Sequence, residues 1–441
     1  MSEPRPSRGQ ELELEVTSLA HGGRGVARRN GYVVFVSGAL PGDVVRARVG
    51  KAKKNHAEAV AIELLQPSVD RIADSCTHGG EPCPGAPWQG LPYERQLTEK
   101  AEGTEDALRR IGGLDGFELE PIEPAIEQWR YRNKLEYSFG SAEDQLTLGF
   151  HPRGRWDEVV DVDDCLLASE PNNEARNRTR DWAAQQGIPA YDPGTHEGVL
   201  RNLVVREGRR TGQIQTRLVT SPAQFERPPV DLHTVIEGPS GGTDGPTGVL
   251  GQEYLTEELA GIRFRISPTA FFQTNTEMAE RLYAIAGEFA GLTGTERVLD
   301  LYCGIGSIAL SLAPQTGEVW GVELVPDAVA DAEANARAAG IENARFRSAD
   351  ARVGIRPILE EAGRPDVVVI DPPRAGLSTK IVRRVIECEA QRIVYVSCNP
   401  TTLAPNVAQL AEAGYTLRRV RPVDMFPQTP HVECVALMER E

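Results

Sequence analysis

The sequence predicts an α/β protein: a C-terminal doubly wound parallel sheet, preceded by a small N-terminal β-barrel and a β-rich α+β centre. Three observations carry this. From about residue 266, short apolar runs alternate with amphipathic helical stretches, the pattern of a sheet covered by helices on both faces. Within it, Val298-Leu-Asp300-Leu-Tyr302-Cys303-Gly304-Ile-Gly306 reads as a strand, a glycine turn and a helix start. Residues 9–66 hold about five short strands between glycine turns, which suits a closed barrel of the OB type. With 441 residues and roughly 150 per domain, the expected domains are 1–68, 69–265 and 266–441.

Each barrel strand is legible. Leu12, Leu14 and Val16 alternate with acids, Tyr32–Val36 is a short buried run, and Val44–Val49 and Ala57–Leu65 continue the period of two. His21-Gly-Gly-Arg-Gly25 and Leu40-Pro-Gly-Asp43 supply turns. The centre opens with Cys76-Thr-His78-Gly-Gly-Glu-Pro-Cys83-Pro-Gly-Ala86-Pro-Trp88, then a helical stretch from about Tyr93 to Ile111 and a mixed β-rich region with Tyr131-Arg-Asn-Lys134 and Cys165. Gly238–Gly248 reads as a loop. In the C-terminal part, strands are expected near 297–302, 318–323, 344–347, 366–371, 391–397, 415–422 and 433–438. The last two lack an intervening helix and are expected to pair antiparallel at the sheet edge.

Composition excludes several classes. Apolar residues make up 40% and charged residues 25%, ordinary for a globular chain. The polar N-terminus and the absence of any run near ~18 apolar residues point to a cytoplasmic protein without a membrane segment. Seven scattered cysteines argue against a disulfide scaffold; in a reducing compartment clustered cysteines bind metal or do chemistry. The net charge of −16 argues against a nucleic-acid partner, but its distribution does not. Residues 1–68 hold ten Lys/Arg and seven Asp/Glu, hence +3, leaving −19 elsewhere. Arg46, Arg48, Lys51, Lys53, Lys54 and His56 fall in one short run, either a phosphate-binding face or a solvated strand.

The glycine turn lets a ligand approach a helix N-terminus, and Glu323, nineteen residues after Gly304, ends the next strand where it can hold ribose hydroxyls. Gly304-x-Gly306-x-x-Ala309 also meets the dinucleotide fingerprint, so an NAD enzyme competes. Two features favour S-adenosylmethionine. Asp300 lies inside the first strand, within reach of an amino-acid moiety. Asp371-Pro-Pro-Arg374 ends the fourth strand, and its two prolines fix Asp371 at the carboxyl edge of the sheet, where open α/β sheets bind ligands. Ile393-Val-Tyr-Val-Ser-Cys398-Asn-Pro400 ends another strand on a cysteine beside a helix start. The positive end of that helix is expected to favour the thiolate.

The barrel's Gly-Arg-Gly loop, Phe35-Val36, Leu40-Pro-Gly-Asp43 and basic stretch resemble the RNA-binding TRAM domain. Phe271-Phe-Gln273, Asp300-Leu-Tyr302-Cys-Gly304, Gly321-Val-Glu323, Asp371-Pro-Pro-Arg374, Ser397-Cys398-Asn-Pro400 and His431-Val-Glu433 together resemble the RNA 5-methyluridine methyltransferase family. That resemblance implies an S-adenosylmethionine-dependent enzyme making 5-methyluridine in structured RNA, either transfer or ribosomal, and working as a monomer. It implies that Gln273, Tyr302, Glu323 and Asp371 contact the cofactor along the Gly304–Gly306 turn, with Asp350 near the adenine. It makes Cys398 the nucleophile and Glu433 the base. An RNA cytosine-C5 methyltransferase and an inactive RNA-binding protein are the rival readings.

Members of this family hold a four-iron iron–sulfur cluster on Cys-x5-Cys-x2-Cys and one distant cysteine. Here Cys76, Cys83 and Cys165 are the candidate metal ligands, the first gap is six residues, and Ala86 stands at the third ligand position. A three-thiolate cluster, a non-cysteine ligand such as His78, and no metal remain open. Cys303, Cys388 and Cys434 are expected in the core.

Overall fold

The computed structural model describes residues 5–78, 81–152, 155–221, 223, 232–237, 251–252 and 254–441. The expected loop 238–248 lies outside the described residues. Alternation in Glu11-Leu-Glu-Leu-Glu-Val16 turns the apolar side chains of β1 (Glu11–Leu19) inward and its acids outward. With β2 (Gly25–Arg29), β3 (Tyr32–Ser37), β4 (Val44–Ala52) and β5 (His56–Gln66) it closes a barrel in the order β1-β2-β3-β5-β4. Val16, Ala27, Val34, Val36, Val45 and Ala47 fill it. Asp43, from the Leu40-Pro-Gly-Asp turn, is fully buried. It accepts from Leu40 N (2.8 Å), Ser68 N (3.0 Å) and Arg71 Nη2 (2.8 Å), which stitches the barrel to the following chain.

The basic run does not present a bare row of cations. Arg46 pairs with Glu63, Arg48 Nη2 lies 2.9 Å from Glu11 Oε1, and Lys53 Nζ lies 3.9 Å from Glu58 Oε1. Gly23, with φ +78°, sits where an added Cβ would come within 2.7 Å of Pro430 and 2.9 Å of Trp88 Nε1, so the barrel turn rests against the C-terminal part of the chain.

The centre begins with a small hairpin, β6 (Thr77–His78) and β7 (Glu81–Pro82), followed by α1 (Tyr93–Asp106), a π-helical turn (Ala107–Ile111) and β8 (Glu118–Leu119). Next come β9 (Lys134–Ala142), β10 (Gln145–Phe150), β11 (Val160–Asp161), α2 (Glu170–Gln185), β12 (Leu200–Gly208), β13 (Gln213–Thr220) and β14 (Leu232–Glu237). Their sheet runs β11-β10-β9-β12-β13-β14. Helix α2, capped by Ser169 accepting from Asn172 N, covers one face through Trp182 and Ala183 against Tyr137, Leu203 and Leu218. The hairpin β15 (Leu255–Leu259) and β16 (Ile262–Ile266) then buries Leu259 and Phe264 in the core of the last part.

That last part comprises α3 (Thr276–Ala290), β17 (Arg297–Leu301), α4 (Ser307–Leu312), β18 (Glu318–Glu323), α5 (Pro326–Ala338), β19 (Ala344–Ser348), α6 (Ala351–Ala362), β20 (Val367–Ile370), α7 (Thr379–Glu387), β21 (Arg392–Ser397), α8 (Pro400–Ala411), β22 (Tyr415–Val423) and β23 (Glu433–Arg440). The sheet order is β19-β18-β17-β20-β21-β23-β22-β8. Strands β22 and β23 pair antiparallel, as the missing helix predicts, but β23 inserts between β21 and β22 and the edge expected for the pair is taken by β8. The order reverses between β17 and β20, the crevice where sheets of this kind bind ligands.

One segment departs from the expected division of the chain. Strand β8, from the stretch placed in the central region, pairs with β22 and becomes the eighth strand of the C-terminal sheet. Helix α1 reaches the same part through polar contacts: Lys100 Nζ lies 2.5 Å from Asp424 Oδ1, both side chains fully buried, and Gln96 Nε2 donates to Gln428 Oε1 at 2.8 Å. Among the described residues, no helix is long and apolar enough to cross a membrane.

Candidate active site

The site is assembled at the carboxyl ends of β17, β18, β20 and β21 and the start of β23. Buried apolar strands deliver acids to that edge. On β17, Asp300 is fully buried; its Oδ2 accepts from Ala309 N at 3.0 Å, while Oδ1 is buried with no hydrogen-bond partner among the described residues. Burial first, then the Asp371 carboxyl, pushes its pKa well above the ordinary carboxylate range. Tyr302 follows in the left-handed region (φ +66°), a conformation that a side chain other than glycine adopts at some cost and that turns the chain out of the sheet. Gly304 (φ +54°) and Gly306 (φ +82°) complete the turn, and Gly306 caps α4.

Glu323 ends β18 and grips the turn: its Oε2 accepts from Gly304 N (3.2 Å) and its Oε1 from Val325 N (2.9 Å). Asp350 caps α6 by accepting from Arg352 N (2.8 Å) and is held bidentately by the Arg352 guanidinium, which keeps its carboxyl below the usual range. Tyr302 lies near it; burial, followed by the Asp350 carboxylate, pushes the phenol up to about 12. Gln273 is buried in the link between β16 and α3, and Asn133 Nδ2 donates to its carbonyl at 2.9 Å. Phe272 beside it is buried, whereas Phe271 is exposed.

Cys398 and Glu433 meet through strand register. Ser397 pairs with Cys434, so the next residue along β21 and the preceding one on β23 lie at the same end. Asp371 joins them from the end of β20, where burial pushes its carboxyl up to about 7. The Pro-Pro-Arg loop is laced to the cysteine loop, because Asn399 Nδ2 (3.3 Å) and Thr402 Oγ1 (3.2 Å) donate to the Arg374 carbonyl. Glu433 is almost fully buried. Burial and then Asp371 raise its pKa well above the ordinary value, opposed by Arg374. His431, half-buried and near Arg374 and Arg132, is pushed down to about 4 by burial first and then by those cations.

The thiol of Cys398 corrects one expectation. It lies two residues before α8, yet it does not favour thiolate: burial, then the Glu433 and Asp371 carboxyls, push it up to about 11. The helix start offers it little, because Asn399 Oδ1 takes Thr401 N at 3.1 Å. A thiol in this setting is protonated at neutral pH and loses its proton only as the charge around it changes.

Sequence reasoning missed Tyr283. It lies on α3 with its hydroxyl 3.1 Å from Ser307 Oγ, and its phenol is raised by burial and by the Asp371, Asp300 and Glu433 carboxyls around it. Its position on the apolar face of a helix gave only a core signal. Lys100 and Asp424, which brace the segment before Glu433, were also missed.

S-adenosylmethionine fits this donor set. An orphan carboxyl oxygen on Asp300, a glycine turn and three carboxyls raised by burial, with Asp371 adding to the shift of Asp300 and Glu433, favour a ligand that is cationic and bears N–H donors. The cysteines form a separate group. Cys76, His78 and Cys83 bring their ligand atoms within 4.8 Å of one another; Cys165 is buried and near enough to act electrostatically on Cys76 and Cys83, but its sulfur stands outside that group. Ala86, fully buried, puts a methyl group where a fourth thiolate is expected. Three thiols do not supply the four thiolates of a four-iron cluster. Cys303, Cys388 and Cys434 are buried, and all seven cysteines are free.

Comparison with known proteins agrees with this geometry. The model of the tRNA (Uracil-5-)-methyltransferase family matches residues 241–441, and that of the TRAM domain matches residues 6–62. An uncharacterized RNA methyltransferase of Halalkalibacterium halodurans is 36% identical, covering 97% of this chain and 96% of that protein. One of Bacteroides thetaiotaomicron is 38% identical over 96% of this chain and 100% of its own. The crystal structure of Pyrococcus abyssi tRNA (uracil-54, C5)-methyltransferase with S-adenosyl-L-homocysteine is 29% identical. It covers 97% of this chain and 100% of that one, with a TM-score of 0.79. The dinucleotide reading of the glycine turn therefore falls away: the chain belongs to the S-adenosylmethionine-dependent RNA (uracil-5-)methyltransferase family and carries its TRAM domain.

Proposed function

We propose that this enzyme makes 5-methyluridine in a structured transfer or ribosomal RNA, acting as a monomer on a base turned out of its stack, with Cys398 as nucleophile and Glu433 as base. The observation that carries the reading is the convergence of a thiol and a buried carboxyl at paired strand ends, where the cationic sulfonium of a bound cofactor favours the carboxylate. Carbon 5 of uracil is too weak a nucleophile alone. Cys398 gives its thiol proton to solvent as its sulfur adds to carbon 6, which makes an enolate with electron density at carbon 5. S-adenosylmethionine supplies the methyl group on a positively charged sulfonium. Glu433, as the carboxylate, then takes the carbon-5 proton, the carbon–sulfur bond breaks and the thiolate leaves. Asp300 and Asp371, with Gln273, Tyr302, Glu323 and Asp350, hold the cofactor on the Gly304–Gly306 side. A base within a stem has to leave the stack to reach this edge.

The test is covalent trapping. Fluorine at carbon 5 does not leave as a proton does, so RNA carrying 5-fluorouridine at the target should hold the protein as a stable adduct. Cys398→Ala should lose both trapping and methylation while keeping its affinity for S-adenosylmethionine. An adduct formed by Cys398→Ala would reject the assignment, and a cytosine rather than uridine product in the mapped RNA would reject the substrate.

A further inference from the structure

The cysteine hairpin holds a ligand set of its own. Strands β6 and β7 pair Thr77 with Pro82, and Cys83 N donates to the Cys76 carbonyl at 3.1 Å, so the two cysteines flank one tight turn. Gln89 fixes Cys76 from both sides: its Oε1 accepts from Cys76 N and its Nε2 donates to the Cys76 carbonyl, each at 2.8 Å. His78 Nε2 stands 3.3 Å from Cys76 Sγ. Main-chain N–H groups lie near each sulfur: Leu166 at Cys76, Gly85 at Cys83, and Leu167 and Ala168 at Cys165. Donors aimed at sulfur favour the thiolate and orient it, as the surroundings of metal-bound cysteines do.

The spacing separates two kinds of centre. In a four-iron cluster each thiolate binds a different iron, so the sulfurs stand around an inorganic core. A single tetrahedral zinc ion, with Zn–S about 2.3 Å and Zn–N about 2.0 Å, draws its ligand atoms to about 3.5–3.8 Å from one another. Cys76, His78 and Cys83 already converge within 4.8 Å before any ion is added. We propose that Cys76, His78 and Cys83, closed by the buried Cys165, bind one zinc ion in place of the iron–sulfur cluster of the family. No electron is transferred: each coordinating thiol gives its proton to solvent, and neutral His78 binds through Nε2.

Such an ion ties the hairpin to the segment around Cys165 at the wall of a cleft. His78, Cys83 and Ala86 line that cleft together with Gly23 of the barrel and Arg374 and His431 of the catalytic edge. Its role is to fix that wall, apart from the chemistry at Cys398, so the inference stands whatever base the enzyme methylates.

The full-length protein, purified with and without oxygen, should contain one zinc per chain, with no sulfide and no visible colour. Replacing zinc by cobalt should give the intense visible bands of a tetrahedral thiolate site. Cys83→Ala and Cys165→Ala should lose the ion. His78→Ala should weaken it by at least about tenfold in competition with a chelator, with S-adenosylmethionine binding unchanged as a control for folding. Stoichiometric iron and sulfide in the anaerobic protein would overturn the proposal. So would failure to retain zinc after loading and desalting, unchanged retention by Cys83→Ala, or a Cys76–Cys83 disulfide in freshly isolated protein.

Discussion

Two places in this molecule gather thiols, and their surroundings are opposite. At the sheet edge Cys398 faces carboxyls, and burial together with Glu433 and Asp371 holds its proton on up to about pH 11. In the 76–83 hairpin, Cys76 lies against Cys83 and His78 under main-chain N–H groups. That pair gives up its first proton below the ordinary thiol range, because the thiolate left behind is hydrogen-bonded by its partner thiol and by the imidazole. Cys83 and Cys398 each stand within two residues of a proline in the sequence. The difference teaches that the charge of the facing elements, more than the nearest helix end, decides what a sulfur does. A nucleophile kept protonated at rest is also shielded from oxidation and stray alkylation.

The comparison breaks first at Glu433. Glu433→Gln should lower turnover by about 10²–10⁴-fold while the thiol still adds, so a methylated enzyme–RNA adduct should accumulate on denaturing gels. Native turnover would show that another group removes the proton. Next comes the clamp behind Glu433. Lys100→Met leaves the buried Asp424 without its cation and, among the described residues, with only the Tyr93 hydroxyl (2.8 Å) on its carboxyl, a loss of about 3–5 kcal/mol, and thermal melting should show a clearly lower midpoint. An unchanged midpoint would mean that Asp424 is satisfied otherwise.

A milder test reads the thiol itself. Alkylation of Cys398 in the free protein should climb about tenfold per pH unit towards its midpoint near 11, following the thiolate fraction. Replacing Glu433 by Gln removes a negative neighbour, which makes thiolate easier to form, so the midpoint should fall; a rise would reverse the electrostatic argument. The smallest expected effect lies on the barrel. Lys51→Gln with Lys54→Gln should lower the salt slope of RNA binding by about 0.7 per lost phosphate contact. Arg46→Gln should change it less, because Glu63 already neutralises that arginine. Equal slopes for all three would return the whole run to a solvated face.

Much of this was legible because it is local. Period-two alternation marked the barrel strands, and the missing helix before residue 433 marked the antiparallel pairing of the last two strands, though not the insertion that brings Cys398 and Glu433 to one edge. What stayed hidden depends on distant partners. Helix α1 buries Gln96, Lys100 and Thr104, so its inner face reads as polar and its outer face looks no different. Its partners Asp424 and Gln428 lie more than 320 residues away, beyond any hydropathy window. The state of the Cys398 thiol was misread for the same reason: its helix is adjacent in sequence, but the carboxyls that outweigh it come from β20 and β23. His78 was one option among several until the hairpin folded it onto Cys76.

Gly23 leaves no room for a side chain between the barrel and Pro430. Pro430 lies three residues before Glu433, so the barrel turn is seated on the segment that leads into the catalytic edge, and a side chain at position 23 would push the barrel away from that edge.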